Sequence, residues 1–255
     1  MSLDKVGRNA LVTGAARRIG AAIALRLAAD GYGVALHASA RSTADAEALA
    51  REIRDAGGRA EVVTADLGSA SETARLIASA SAAIGPLQAL VNNASLYEPD
   101  AAASFDPAFF DRLMAVNLRA PLQLAADFAA RLGQGRQGAI VNITDQKVWR
   151  LNPRYHTYTL AKSALWTATQ TMAQAYAPRV RVNAVGPGPV LPNQVEGMDG
   201  FQHEAAAIPL AAPVEPQEIA EAVLYLLNAR SVTGQMIAVD GGQHLAWKTP
   251  DVPHD

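Results

Sequence analysis

The sequence predicts an α/β fold: one doubly wound parallel sheet of about seven strands with helices on both faces. Three observations carry this expectation. Short apolar runs that read as buried strands alternate with longer stretches of helical periodicity from one end of the chain to the other. The first strand-to-helix junction, residues 13–20 (TGAARRIG), combines glycines with arginines, an arrangement that brings backbone N–H groups to an anion. The polar motifs all fall just after a strand or on the helix that follows it, where a ligand beyond the carboxyl ends of parallel strands would meet them.

Residues 9–12 (NALV) read as the first strand, and 21–29 (AAIALRLAA) as a strong helix former stopped by Asp30-Gly31. Residues 33–37 form a second strand. Ser42 is placed to cap the next helix, whose apolar face is Ala46, Leu49, Ala50 and Ile53 and whose end is Gly57-Gly58. A third strand spans 60–65. Ser69 and Glu72 have the spacing of a capping box that opens a helix running to Ile84. The fourth strand, 87–91, leads into Asn92-Asn93-Ala94-Ser95. Asp106-Pro107 reads as a cap with proline at the first helical position, and Pro121 begins a second helical piece. A fifth strand covers 139–143, a long helix about 155–176 and a sixth strand about 180–184, followed by a loop at 186–189. Residues 192–213 are irregular, with one short helix at 201–207. The last helix is expected at 215–227 and the last strand at 236–239.

With 255 residues, 50% of them hydrophobic, the chain can bury a sizeable core and is expected to form one domain over 1–255, with a substrate loop at about 190–213. The net charge of −2 offers no global basic field to nucleic acid or an acidic membrane. The absence of cysteine excludes disulfides, thiolate chemistry and Cys-ligated zinc. The five histidines are scattered, so no metal site is expected. Residues 1–5 lack the charged-then-apolar pattern of a signal region, and no apolar run nears a membrane span, so the expected location is the cytoplasm.

Tyr158 and Lys162 stand at i and i+4 on one helix face, where an ammonium favours phenolate and lowers the phenol's pKa. A tyrosine so tuned delivers protons; the same spacing also occurs in solvated helix-face pairs. Asp145 follows the fifth strand and can sit beside that phenol, or cap a turn. Asn117, among apolar neighbours, is either a satisfied core amide or part of a proton relay. After the second strand no acidic residue is present to read a ribose 2′-OH. Arg18, Arg41 and Ser42 are instead placed to hold a 2′-phosphate, which favours NADP(H) over NAD(H).

Taken together, Thr13-Gly14…Gly20, Asn92-Asn93-Ala94, Asn117, Tyr158…Lys162 and Pro187-Gly188 resemble, in order and spacing, the short-chain dehydrogenases/reductases. Residues 232–242 resemble that family's last strand and its approach. The likeness runs from about Asn9 to Gly242 and implies a Rossmann-type sheet, a nicotinamide cofactor and a homotetramer. Three departures from the common pattern resemble the pteridine reductases: Asp145 where serine is usual, Arg18 where a small residue is usual, and Ser95 after Asn-Asn-Ala.

That resemblance implies cofactor contacts at Gly14, Arg17, Arg18, Ile19, Gly20, His37, Arg41, Ser42, Asp66, Leu67, Asn93, Ala94, Ser95, Thr144, Tyr158, Lys162, Pro187 and Gly188. It implies substrate contacts at Ser95, Tyr97, Asp145, Tyr158 and Gly188, with Tyr97 stacking on a pterin. Arg18, Arg41 and Ser42 are preferred to His37 at the 2′-phosphate because the loop after the second strand is longer than in that group. The implied function is NADPH-dependent reduction of a dihydropterin to a tetrahydropterin, with Tyr158, Lys162, Asp145 and Asn117 as the catalytic set. A ketone reductase of the same family is the alternative, and a non-catalytic NADP(H) sensor a third reading.

Overall fold

The computed structural model describes residues 7–192 and 197–247. The expectations that fell on 1–6, on part of the loop at 192–213 and on the tail beyond 247 therefore lie outside the described residues in whole or in part. Seven parallel strands form one sheet in the order β3-β2-β1-β4-β5-β6-β7: β1 (Asn9–Val12), β2 (Gly33–Ala38), β3 (Arg59–Thr64), β4 (Ala89–Asn92), β5 (Gly138–Ile143), β6 (Val180–Pro187) and β7 (Met236–Val239). The order reverses direction between β1 and β4. That junction opens the crevice in which doubly wound sheets bind ligands.

Strand alternation builds two cores. Ala10, Val12, Val34, Leu36 and Val141 face one side, packed by α1 (Arg18–Ala29), α2 (Thr43–Asp55) and α8 (Pro216–Asn228). Leu11, Ala35, Leu90, Ile140 and Val182 face the other, packed by α3 (Ala70–Ile84), α5 (Ala120–Arg131) and α6 (His156–Tyr176). Both faces are covered, so the strands read as continuous apolar runs. Two further helices are α4 (Pro107–Met114) and α7 (Gly197–Ala207). A π-helical turn, Ala115–Arg119, joins α4 to α5.

Several boundaries differ from expectation for local reasons. Helix α1 begins at Arg18 rather than Ala21, so Ile19 and Gly20 are already helical. Strand β6 continues through Gly186 and Pro187, which had read as loop. Its pairing with β5 ends at Val185, and Pro187 pairs only with Val239 of β7, so its missing N–H costs no ladder bond. Ser42 precedes α2 but does not cap it; its hydroxyl turns back to Ser39 Oγ and Ser39 O. The capping box at α3 is half formed. Ser69 accepts from the Glu72 N–H, but the Glu72 carboxylate reaches past it to the Asp66 N–H at 2.8 Å. Asp106 caps α4 as expected, with Pro107 at the first helical position. Helix α7 is a full three turns where a shorter piece was expected.

Candidate active site

A cavity of about 530 Å³ opens at the β1/β4 junction. Its floor is the turn after β1. Gly14 takes φ +62°, and a Cβ at Gly20 would stand 2.1 Å from the Gly14 carbonyl oxygen, so the chain returns on itself too tightly for any side chain there. Thr13 and Asn93 weld this turn to the end of β4. Thr13 Oγ1 accepts from the N–H groups of Asn93 and Ala94 at 2.9 and 3.0 Å, while Asn93 Nδ2 donates to Thr13 O at 2.8 Å and Gly14 O at 3.1 Å. The first turn of α1 has no side-chain cap, which leaves its N–H groups directed at the cavity.

His37 occupies a place different from the one expected. It is buried, its Nδ1 accepts from the Gly14 N–H at 3.1 Å, and its Nε2 therefore donates to Ala65 O at 3.1 Å. Both ring nitrogens are used inside the protein, and burial pushes its pKa down, so it is a neutral clasp between the glycine turn and the end of β3. Ser39 and Ser42 line the cavity here together with Arg17 and Arg18; Arg41 is exposed and outside the lining. The short helical turn Ala40–Ser42 carries Ser42 inward and leaves Arg41 on the outer side. Arg18 also donates to Pro192 O at 3.0 Å and Leu191 O at 3.3 Å, tying the glycine turn to the start of the loop after β6. Two guanidinium groups, two hydroxyls and an uncapped helix start, with no acidic residue in the segment 37–42 after β2, fit the adenosine 2′-phosphate and diphosphate of NADP(H).

At the other end, Tyr158 and Asp145 meet. The phenol, only 5% exposed, donates to Asp145 Oδ2 at 2.8 Å, and Asp145 Oδ1 accepts the Lys147 N–H at 2.8 Å. Lys162 is buried beneath the pair. Its Nζ donates to Ile143 O at 2.8 Å and lies 5.6 Å from the Tyr158 ring centre. The expected lowering of the Tyr158 pKa is reversed here. Burial, and then the Asp145 carboxylate with its hydrogen bond, push it well above the usual phenol value. Burial lowers Lys162 to about 8, with the Asp145 charge opposing. Asn117, fully buried in the π-helical turn, is satisfied by the loop: its Oδ1 accepts from the Leu96 N–H and Ser95 Oγ, and its Nδ2 donates to Leu96 O. It positions residues 95–96 from behind the cavity wall. Tyr97 stacks on Tyr155 with centres 4.2 Å apart and meets Tyr158 edge-on at 4.8 Å.

The model of the enoyl-(acyl carrier protein) reductase family matches residues 14–244. The chain belongs to the short-chain dehydrogenase/reductase family. It is therefore an oxidoreductase of a family that uses NAD(P)H. One solved relative is FolM alternative dihydrofolate reductase 1 from Brucella canis, complexed with NADP. It is 48% identical, with a TM-score of 0.94 over 97% of this chain and 98% of that one. A blue fluorescent protein from a metagenomic library, in complex with NADPH, is 33% identical, with a TM-score of 0.87 over 94% and 99% of the two chains. Human L-xylulose reductase is 35% identical over 250 residues, 95% of this chain and 98% of its own.

Within this family member the cavity gathers nearly all the residues expected from sequence. Gly14, Arg17, Arg18, Ile19, Gly20, His37, Ser42, Asp66, Leu67, Asn93, Ala94, Ser95, Tyr97, Thr144, Asp145, Tyr158, Lys162, Pro187 and Gly188 all line it. Arg41 and Asn117 do not. The sequence reading missed Ser39, Leu96, Lys147, Phe201, Glu204 and Gln243, which also line it. Glu204 of α7 accepts from Gln243 Nε2 at 2.7 Å, joining α7 to the segment after β7. No motif in the sequence marks that pair, because its members are 39 positions apart and meet only through the fold. Among the described residues no cluster of metal ligands is present, and no helix is long and apolar enough to cross a membrane.

Proposed function

We propose that this chain is an NADPH-dependent reductase of a flat C=N heterocycle, with a dihydropterin reduced to a tetrahydropterin as its substrate. The observation that carries the reading is the 2.8 Å hydrogen bond from Tyr158 to Asp145 beside the Tyr97 ring. Bound NADPH supplies the hydride. Arg17, Arg18, Ser39 and Ser42 would hold its phosphates, with Lys162 at the Tyr158 end of the cavity. Reduction of a ring C=N needs a proton on nitrogen as hydride arrives at carbon. Tyr158 holds that proton, because its raised pKa keeps the phenol protonated until a substrate nitrogen takes it. Asp145 orients the phenol as its acceptor and brings a second protonatable group to the same relay. The Lys162 cation stabilises the charge left on the phenol oxygen. Asn117 fixes the 95–96 wall against which the heterocycle rests. The 48% identical relative bearing the name alternative dihydrofolate reductase supports this reading. The enzyme works as a cytoplasmic homotetramer of single-domain chains, for which light scattering should give a mass near four times 26.7 kDa.

A ketone reductase is the second reading, favoured by the similarity to L-xylulose reductase; Asp145 would then only align Tyr158. Asp145→Ser separates the two. On a dihydropterin its kcat should fall by roughly 10²-fold or more, the scale of losing an acid–base group, with a much smaller fall on a simple ketone. An equal loss on both substrates, together with a lower melting temperature, would reduce Asp145 to a turn residue. A non-catalytic sensor would consume no NADPH with either substrate.

A further inference from the structure

Lys147 is a largely buried cation whose ammonium makes no hydrogen bond to protein among the described residues. It sits in the short turn Gln146–Val148 after β5, is 9% exposed, and lines the cavity beside Asp145. Its backbone N–H is spoken for by Asp145 Oδ1, but its ammonium makes no hydrogen bond to protein among the described residues. Its ion-pair partner, Asp145 Oδ1, is 3.9 Å away, and the ammonium lies 5.5 Å from the centre of the Tyr97 ring. An ammonium on the wall of a ligand cavity, held by one carboxylate only at ion-pair distance and with no hydrogen bond to protein, marks the place of an acceptor that arrives with the ligand. The neighbours define where that acceptor lies. Asp145 also holds the phenol of Tyr158, so the ammonium is close to the reacting bond. Tyr97 reaches Lys147 and Tyr158 both, so the acceptor is carried on a group seated along that ring.

We infer that Lys147 is a substrate-binding residue, selecting substrates that carry an oxygen acceptor, a ring carbonyl or a carboxylate, next to the bond being reduced. This rests on the reductase site proposed above and adds to it the feature the substrate must present. The test uses NADPH-loaded enzyme and two matched pairs of substrates. One pair is a dihydropteridine with and without its ring carbonyl; the other is a ketone with and without a neighbouring carboxylate. In at least one pair the parent should favour the oxygen-bearing member by roughly tenfold or more in kcat/KM, the scale of a hydrogen bond to a charged group. Lys147→Met should bring the two members of that pair to near parity, through KM rather than kcat. Lys147→Arg should restore most of the preference, and Lys147→Gln, which keeps N–H donors without charge, should fall between them. A preference that survives in Lys147→Met, or a parent that discriminates within neither pair, overturns the inference. The pterin reading fails separately, when only the ketones are turned over; the same variants are then judged on the ketone pair, which also distinguishes carboxylate from ring carbonyl.

Discussion

The cofactor end of the cavity is held by backbone-directed bonds between strand ends: Thr13 and Asn93 across β1 and β4, and His37 between the glycine turn and Ala65. The substrate end is assembled from side chains that the fold brings together from distant positions: Tyr97 after β4, Asp145 and Lys147 after β5, Tyr158 on α6, Phe201 and Glu204 on α7, and Gln243 after β7. The first region is a property of the fold and serves any dinucleotide of its kind. The second depends on individual side chains. Substitutions at the two ends should accordingly fail in different ways.

The sharpest contrast is expected from Tyr158→Phe, which deletes the proposed proton donor while keeping the ring against Tyr97. Turnover should fall by roughly 10²- to 10⁴-fold while NADPH affinity, measured by fluorescence titration, stays within about threefold. Activity within tenfold of the parent would move the proton donor elsewhere. At the cofactor end, Ser39→Asp puts a carboxylate into the cavity lining where the 2′-phosphate is proposed to bind. The NADPH/NADH ratio of kcat/KM should drop roughly tenfold or more, whereas Arg41→Ala, outside the lining, should change it by no more than about twofold. The reverse ranking would restore Arg41 to the phosphate site and contradict the geometry.

A smaller effect joins the two ends through Lys162. Its pKa, lowered to about 8, makes its ammonium fade within the working range. In the proposed relay the protonated form stabilises the phenol oxygen, so kcat/KM of the free enzyme should decline as pH rises through about 8. Stability runs the other way. The unfolded chain binds this proton up to the ordinary lysine value of 10.5, so folding is penalised at neutral pH and gains as pH rises from about 8 toward 10.5. Denaturant melts across that interval should show this lysine's opposing contribution as a difference between the parent and Lys162→Met. An activity profile flat to pH 10 would remove Lys162 from the relay.

Most of the fold was legible because each strand–helix pair carries its own punctuation. The Asp30-Gly31 stop, the Asp106 cap with Pro107 and the Gly57-Gly58 end all act locally. Errors arose where tertiary partners overrode local chemistry. Ser42 looks like a cap but bonds Ser39, Glu72 bypasses Ser69 for Asp66, and Pro187 extends a strand because only β7 pairs with it. In the site, the Tyr158–Asp145 contact was readable from spacing and strand position. The electrostatics were not, since the i, i+4 lysine is buried against Ile143 O while the carboxylate takes the phenol, which reverses the sign of the pKa shift. Arg41 stays outside the cavity and Ser39 and Ser42 line it instead, because the short turn at 40–42 decides which side chains point inward, and that is invisible in the string of letters. Lys147 went unremarked because a lysine two positions past an aspartate carries no signal until the cavity closes around it.

NADPH consumption by the purified parent enzyme, with a dihydropterin and with a panel of simple ketones at matched concentrations, tests the central claim most directly. A site that holds a phenol–carboxylate pair and unmet ammonium donors should favour the heterocycle by roughly 10²-fold or more in kcat/KM, since an analogue lacking those polar atoms leaves the buried groups unpaired. Ketone turnover equal to or above that of the dihydropterin would contradict the account.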